Sequence, residues 1–309
     1  MKIGKITVSS RVFLAPIAGT TDIPFRILCK EYGAGMVFTE MINCRSLIEK
    51  NPKALALAET SKDEGPVGVQ LFGSKPDEFR KAAKLVKTKI IDINFGCPMQ
   101  KVTKNGSGSA LLDKPDLMKE IVQAVKKSKK TVMAKIRLGY TKNNVIKNCK
   151  ILEKAGVDAI TIHARNREQY YSGKADWKYI RLAKKTVSIP IIGNGDIDSG
   201  KKAESMLEIA DFCMIGRAAM GHPRIFKRVN DYLKNNEEEK FDFKKQLQDF
   251  DRYYKLTKKY KLDDLSRLKV HAVQFVKGFK GANKVRLNLN QAKTKKELIE
   301  MIMNAPAGT

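Results

Sequence analysis

The sequence predicts an α/β fold: a closed (β/α)8 barrel followed by a small C-terminal helical domain. Three observations predict it. Eight short β-branched or apolar runs recur between residues 12 and 220, and a turn and a helical pattern follow each. Parallel strands require crossover helices, and strand–helix alternation over about 220 residues matches the usual length of a closed barrel. Beyond residue 234 the strand signals stop and only helical spacing remains.

The expected strands, in order, are "VFLAP" (12–16), "MVFTEM" (36–41), "VGVQLFG" (67–73), "IIDINFG" (90–96), "VMAKIRLG" (132–139), "DAITIHA" (158–164), "PIIGNGD" (190–196) and "FCMIGRAAM" (212–220). Between them lie helices with recognisable starts. "SKPDEFRKAAKLVK" (74–87) has a Ser ahead and Pro and acids in its first turn, and "DKPDLMKEIVQAVKK" (113–127) opens in a similar way. A TIM barrel fits this order best. A doubly wound open sheet is the runner-up, but "APIAGTTD" after the first strand lacks the G-x-G-x-x-G of a dinucleotide site.

The charged stretch "KNNEEEKFDF" (about 234–243) reads as a linker, which gives a barrel over residues 1–235 and a helical domain over 241–309. In that domain Phe243, Leu247, Phe250 and Tyr254 recur at helical spacing, as do Leu265, Leu268, Ala272, Val276 and Phe279. Residues 241–309 hold 16 Lys or Arg against 7 Asp or Glu, about twice the net positive density of the rest. The domain is either an RNA-contacting arm or an ordinary bundle with a solvated lysine face.

Across the whole chain 60 Lys and Arg face 33 Asp and Glu, a formal charge of +27. Such an imbalance attracts polyanions, of which nucleic acid is the commonest in a cytosol. A lysine-rich, heat-adapted surface is the alternative, although those surfaces usually balance Lys with Glu. The five cysteines are scattered and never form a C-x-x-C pair, which argues against disulfides, zinc or an iron–sulfur centre and suits a reducing cytoplasm. No apolar run approaches the roughly 18 residues of a membrane span, and "MKIGKITVSS" lacks a signal-peptide core. No metal and no membrane are expected.

Chemistry in such barrels sits at the C-terminal ends of the strands. There the sequence places Gln70, Asn94, Lys135, Arg137, His163, Asn194, Asp196 and Arg217. The glycine turns "GNGD" (193–196) and "IGR" (215–217) follow strands seven and eight, where many barrels bind phosphate through backbone N–H groups, and Arg217 can add charge. Lys135 can stabilise negative charge on a reduced ring or simply reach solvent. His163 either contacts an anion or substrate carbonyl or is a satisfied structural group.

Cys97 in "DINFGCP" follows Gly96 at the end of the fourth strand, and Pro98 restricts its backbone to extended geometry. Most free cysteines are small buried hydrophobes, the reading given to Cys29, Cys149 and Cys213. At a rim, a thiol with an ordinary pKa of about 8.5 stays protonated at neutral pH and can act as an acid. A nucleophilic thiolate is the rival role.

These segments, "APIAGTTDIPFR", "VGVQLFG", "DINFGCPMQKVTKNGSGSALL", "KIRLG", "ITIHARNREQYYSGKADW", "IPIIGNGDI" and "MIGRAAMGHP", resemble in order the motifs of the tRNA-dihydrouridine synthases over residues 11–226. The tail resembles that family's helical domain more loosely. The resemblance implies an FMN-bound barrel that uses NADPH, or NADH, to reduce the C5–C6 bond of a uridine in tRNA. A monomer is expected. It implies that Pro16, Ile17, Ala18, Gln70, Lys135, His163, Asn194, Gly195, Asp196, Gly216 and Arg217 hold FMN. Cys97 becomes the proton donor, and Asn94, Arg137 and Arg165 lie near the uracil. The chain departs from the family pattern at Ile17, where Met is usual, at Tyr140, where Trp is common, and in "GSGSALL" for "GAGAALL". Two other functions stay in view: a flavin barrel acting on a small molecule such as dihydroorotate or an enone, and an RNA-binding module without turnover.

Overall fold

Among the described residues, eight parallel strands form the barrel: β1 Val12–Leu14, β2 Val37–Phe38, β3 Val67–Phe72, β4 Ile90–Phe95, β5 Thr131–Arg137, β6 Ala159–His163, β7 Ile191–Asn194 and β8 Phe212–Ile215. The structure, a computed structural model, describes residues 1–278 and 281–305. Neighbours run in the order β1-β8-β7-β6-β5-β4-β3-β2. Two backbone bonds close the seam between β1 and β2: the Leu14 N–H donates to Met36 C=O at 3.0 Å, and the Gly35 N–H to Val12 C=O at 2.8 Å. The closed TIM-type barrel is therefore formed, and the open sheet is not.

Strand period 2 splits each strand between two cores. Odd-numbered β4 residues Ile91, Ile93 and Phe95 meet the outer helices, as do Ala134 and Ile136 of β5. The opposite faces fill the barrel from the bottom with Phe13, Phe38, Ile90, Met133, Ile192 and Phe212. Above that apolar layer the same inward rows turn polar at Gln70, Asp92, Lys135, Thr161 and Asn194. The lower end is plugged by an antiparallel hairpin, Lys2–Ile3 with Ile6–Thr7, whose Ile3 and Ile6 join the interior core. The hairpin is too short and too polar to read from sequence.

Several strands are shorter than their apolar runs. The segment 36–41 keeps only β2, then leaves the sheet and rejoins it as Ile42–Asn43, which pairs with Leu71 and Phe72. The segment 212–220 ends at Ile215, because the chain turns at Gly216 into a 3-10 turn over Arg217–Ala219. The two helices read from sequence occur as Pro76–Leu85 and Pro115–Lys126, each with Pro and acid in its first turn. The cap of the first is Lys75, without a side-chain bond, and Ser74 lies outside it.

The stretch after Asn235 is irregular but tied down: Glu238 pairs with Arg228 at 2.8 Å and accepts from the Gly200 N–H at 3.0 Å. Four helices follow among the described residues: αA Phe243–Lys259, αB Leu265–Phe275, αC Ala282–Gln291 and αD Lys295–Met303. Asp242, Asp264 and Thr294 cap three of them through side-chain oxygens. The buried row of αA is Phe243, Leu247, Phe250 and Tyr253, with Tyr254 half-buried beside it. Leu268, Ala272 and Val276 are buried as expected, and Phe279 lies outside the described residues.

These helices dock on the first barrel helix, Ile23–Glu31, and its cap Asp22. Tyr253 Oη donates to Asp22 Oδ2 at 2.9 Å, Arg267 Nη1 reaches the same oxygen at 3.4 Å, and Gln274 Nε2 donates to Thr20 Oγ1 at 3.2 Å. Gly221, at φ +76°, lets the backbone after β8 approach αB; a Cβ there would lie 2.1 Å from the Gln274 oxygen. Tyr253→Phe removes one hydrogen bond to a buried carboxylate and is expected to cost about 2 kcal/mol, read by urea unfolding. A change below about 0.5 kcal/mol would show that this contact does not hold the helices to the barrel.

Candidate active site

A cavity of about 810 Å³ opens at the C-terminal ends of the strands. Pro16, Ile17, Ala18, Gln70, Asn94, Cys97, Lys135, Arg137, His163, Asn194, Gly195, Asp196, Gly216 and Arg217 all line it. Gln70 and Lys135 are not at strand ends as read from sequence. Leu71 and Phe72 follow Gln70 within β3, and Ile136 and Arg137 follow Lys135 within β5, so these two side chains form the floor rather than the rim.

The floor is a network of amides and one ammonium. Lys135 Nζ donates to Asn194 Oδ1 at 3.0 Å, and Asn194 Nδ2 donates to the Met214 carbonyl at 2.8 Å. Gln70 Nε2 donates to Asp92 Oδ2 at 2.5 Å, and Asn94 Nδ2 donates to Gln70 Oε1 at 2.8 Å. Burial pulls the Lys135 ammonium down to about 8, with Arg137 adding to the fall. Burial also pushes the Asp92 carboxyl up to about 7, against the Gln70 hydrogen bond and the charge of Lys135.

Cys97 is half-buried at the edge of the cavity, whereas Cys29, Cys44, Cys149 and Cys213 are buried. Its N–H donates to Asn94 Oδ1 at 2.9 Å, and its carbonyl accepts from the Ser109 N–H at 3.0 Å and from Ser109 Oγ at 2.9 Å. Gly108, at φ +61°, packs against that carbonyl, where a Cβ would come within 2.8 Å. The "GSGSALL" segment therefore clasps the thiol turn. Burial raises the Cys97 thiol above its ordinary range, outweighing the Met99 N–H and the charges of Arg137, Lys101 and Lys135, so the group keeps its proton at neutral pH.

Across the mouth, Asp196 is held at φ +58° at the end of the first glycine turn. Its carboxylate accepts from Arg165 Nη2 at 2.8 Å, from the Ala175 N–H at 2.8 Å and from Arg217 Nη2 at 3.0 Å. Burial would raise its pKa, but the Ala175 N–H and Arg165 hold it below the ordinary carboxylate range. The Asp196 side chain is thus occupied within the protein, and it is Arg217, half-exposed, that faces open space. Arg165 does not line the cavity. It is 1% exposed and donates to the carbonyls of Ser172 at 3.0 Å and Gly173 at 2.6 Å, so it anchors the 166–176 loop.

That loop carries Tyr171, to which no role was given from sequence. Its exposed ring lies 5.0 Å from the Arg217 guanidinium and 5.7 Å from that of Arg137. Met41, Met99 and Lys101 also reach the cavity unforeseen. Arg137 Nε donates to the Gly96 carbonyl at 2.9 Å, which ties β5 to the thiol turn. His163 is buried among Lys135, Arg137, Arg165 and Arg217, and burial together with those cations pushes its pKa far down, so it is neutral. Among the described residues no cluster of three or more His, Cys, Asp or Glu could hold a metal, and no helix is long and apolar enough to cross a membrane.

Barrel enzymes place their chemistry at this end of the strands, and a protonated thiol beside desolvated cations suits reactions in which a substrate gains both negative charge and a proton. The fold and site thus define a barrel enzyme. Solved structures share the fold. A variant of NCR from Zymomonas mobilis gives a TM-score of 0.53 at 17% identity over 78% of this chain and 91% of that one. Morphinone reductase gives 0.52 at 12%, over 77% and 90%.

The dihydrouridine synthase (Dus) family model matches residues 13–306. A probable tRNA-dihydrouridine synthase of Rickettsia conorii is 42% identical over 247 residues, 77% of this chain and 75% of that protein. The tRNA-dihydrouridine synthase B of Pasteurella multocida is 42% identical over 246 residues, 76% and 74% of the two chains. A probable tRNA-dihydrouridine synthase of Aquifex aeolicus is 38% identical over 307 residues, 95% of each. The chain belongs to the dihydrouridine synthase family and is an oxidoreductase.

Proposed function

We propose that this chain reduces the C5–C6 double bond of a uridine in tRNA, with FMN held in the cavity, NADPH or NADH as reductant, and Cys97 as the proton donor. The observation that carries the reading is one cavity bounded by a protonated thiol at one edge and by two glycine turns with Arg217 at another. The names of the relatives support the substrate.

The residues present fit a flavin phosphate ester. The cavity volume lies within the usual range for such ligands, about 300–1,000 Å³. Pro16, Ile17, Ala18 and Met214 supply apolar wall, Gln70, His163 and Asn194 supply neutral hydrogen-bonding groups, and Arg217 with Gly195 and Gly216 suits a phosphate. When bound, FMN supplies the hydride chemistry that side chains lack. Lys135 would supply positive charge at the cavity floor, Asn94 and Arg137 would orient the uracil, and Cys97 Sγ would give its proton to C5. Arg165 serves the site indirectly, through Asp196 and the Ser172–Gly173 backbone.

A stacked base cannot enter this cavity, so the uridine leaves its stack at a cost of a few kcal/mol, offset by phosphate contacts to the basic surface. Residues 241–309 act as the tRNA-binding domain in this reading, supported by their 16 basic against 7 acidic residues.

The test is to purify the protein, record its visible spectrum, and incubate it with NADPH and unmodified tRNA before quantifying dihydrouridine by mass spectrometry. A flavin band and tRNA reduction that weakens steeply with salt are expected. Turnover of dihydroorotate or an enone without tRNA reduction would assign a small-molecule enzyme instead. Because Lys135 is charged only below about 8, flavin affinity is expected to fall as pH rises through that value. Lys135→Met should bind flavin about tenfold more weakly at pH 7 and show no such step. Equal pH profiles for the two proteins would remove Lys135 from the flavin site.

A further inference from the structure

Three side chains beneath the cavity form a single file of hydrogen bonds that ends on the backbone of Cys97. Gln70 donates to Asp92, Asn94 donates to Gln70, and Asn94 Oδ1 accepts from the Gly96 and Cys97 N–H groups at 3.1 and 2.9 Å. All three side chains are more than nine-tenths buried, so water does not compete for these bonds.

The direction of every bond is fixed at the Cys97 end. Peptide N–H groups only donate, so the Asn94 oxygen must face them and its NH2 must face Gln70. The Gln70 oxygen then faces Asn94 and its NH2 faces Asp92, whose Oδ2 accepts from it. With no acceptor at residue 92, the buried Gln70 NH2 is left unpaired, and Gln70 leaves its place to find a partner and releases the Asn94 NH2 that it holds. The layer below is filled by Ile90, Met133 and Phe212. An apolar residue at 92 would pack there as well, without the unpartnered oxygen that Asp92 leaves at Oδ1.

We infer that Asp92 is a positioning residue for the proton donor: it anchors the far end of the Gln70–Asn94 chain and so steadies the turn that presents the Cys97 thiol. Asp92 does not line the cavity; it acts through two amides and a backbone turn. The reaction arm of the test rests on the proton-donor reading of Cys97, and the labelling arm does not.

The experiment compares the wild-type protein with Asp92→Ala and Asp92→Asn, using iodoacetamide labelling, flavin content and steady-state reduction of tRNA. Labelling of the folded protein reads Cys97, because the other four cysteines are fully buried. Asp92→Ala is expected to label about fivefold faster and, at saturating flavin and tRNA, to lower kcat about tenfold. Asp92→Asn keeps an acceptor and is expected to recover both rates to within about twofold of wild type. Wild-type labelling and kcat in Asp92→Ala would overturn the inference, as would an Asn variant no better than the Ala variant. Faster labelling with unchanged kcat would support the positioning and overturn the donor role of Cys97. Should the Ala variant not fold, hydrogen exchange on the unaltered protein decides. The Gln70 and Asn94 side-chain amide protons should exchange as slowly as core amides, and exchange as fast as surface amides would break the chain.

Discussion

Cys97→Ala is expected to retain its flavin and the reduction of that flavin by NADPH, while dihydrouridine formation falls by about 10²–10⁴-fold. The loss is confined to the second half of the reaction because the thiol is the one acid proposed at the edge of the cavity, and no cation that holds the flavin depends on it. Its carbonyl and N–H are held by Ser109 and Asn94 through the backbone, so the turn keeps its shape when sulfur is removed. Single-turnover reduction of tRNA by the pre-reduced protein is the measurement that isolates this step. A wild-type rate in the Ala variant would remove Cys97 from the chemistry. A nucleophilic role is disfavoured on physical grounds, since burial raises the thiol and leaves little thiolate at neutral pH.

The second large effect is on stability. Asp196→Asn leaves the Arg165 guanidinium buried at 1% exposure without its carboxylate, and breaking such a pair from one side is expected to cost about 3 kcal/mol. The same change frees Arg217, so flavin binding and loop order should weaken together. Denaturant unfolding with and without added FMN checks both. The pH dependence has a definite sign. The Asp196 carboxyl is held below its ordinary range, so its contribution is complete above the unfolded value of about 3.9 and is lost as pH falls through the lower folded value. The Asn variant lacks that contribution at every pH, and its stability curve should run closer to the wild type's in acid. A loss below about 1 kcal/mol at pH 7 would show that the Ser172 and Gly173 carbonyls suffice to hold Arg165.

Much of the fold was legible because parallel strands buried on both faces must be continuous apolar runs. All eight runs contain a barrel strand. Their ends were not legible: Ala218–Met220 resumes the apolar texture of Phe212–Ile215, and only the turn at Gly216 ends the strand. Helix starts were read well where Pro and acid mark the first turn, whereas on αA the buried face was read one residue off. There the spacing pointed to Tyr254, whereas Tyr253 is buried through its contact with Asp22, a partner more than two hundred residues away. Arg165 shows the same limit at the site. Its place in a motif is visible in sequence, but that its charge turns inward to Asp196 and the loop carbonyls is not.

The sequence by itself determined the barrel, the amides, cations and glycine turns of its mouth, and the singular setting of Cys97, because apolar runs alternating with helical spacing and Gly-Cys-Pro geometry are local properties of the chain. Only the tertiary structure decided which polar groups are floor, which are wall and which are clamps. Those roles depend on register between strands: it sets Gln70 against Asp92 and Asn94 against Lys135 on neighbouring strands and carries Lys135 to Asn194 across the barrel floor. No pattern within one strand encodes its alignment with the next; the packing of the whole barrel does.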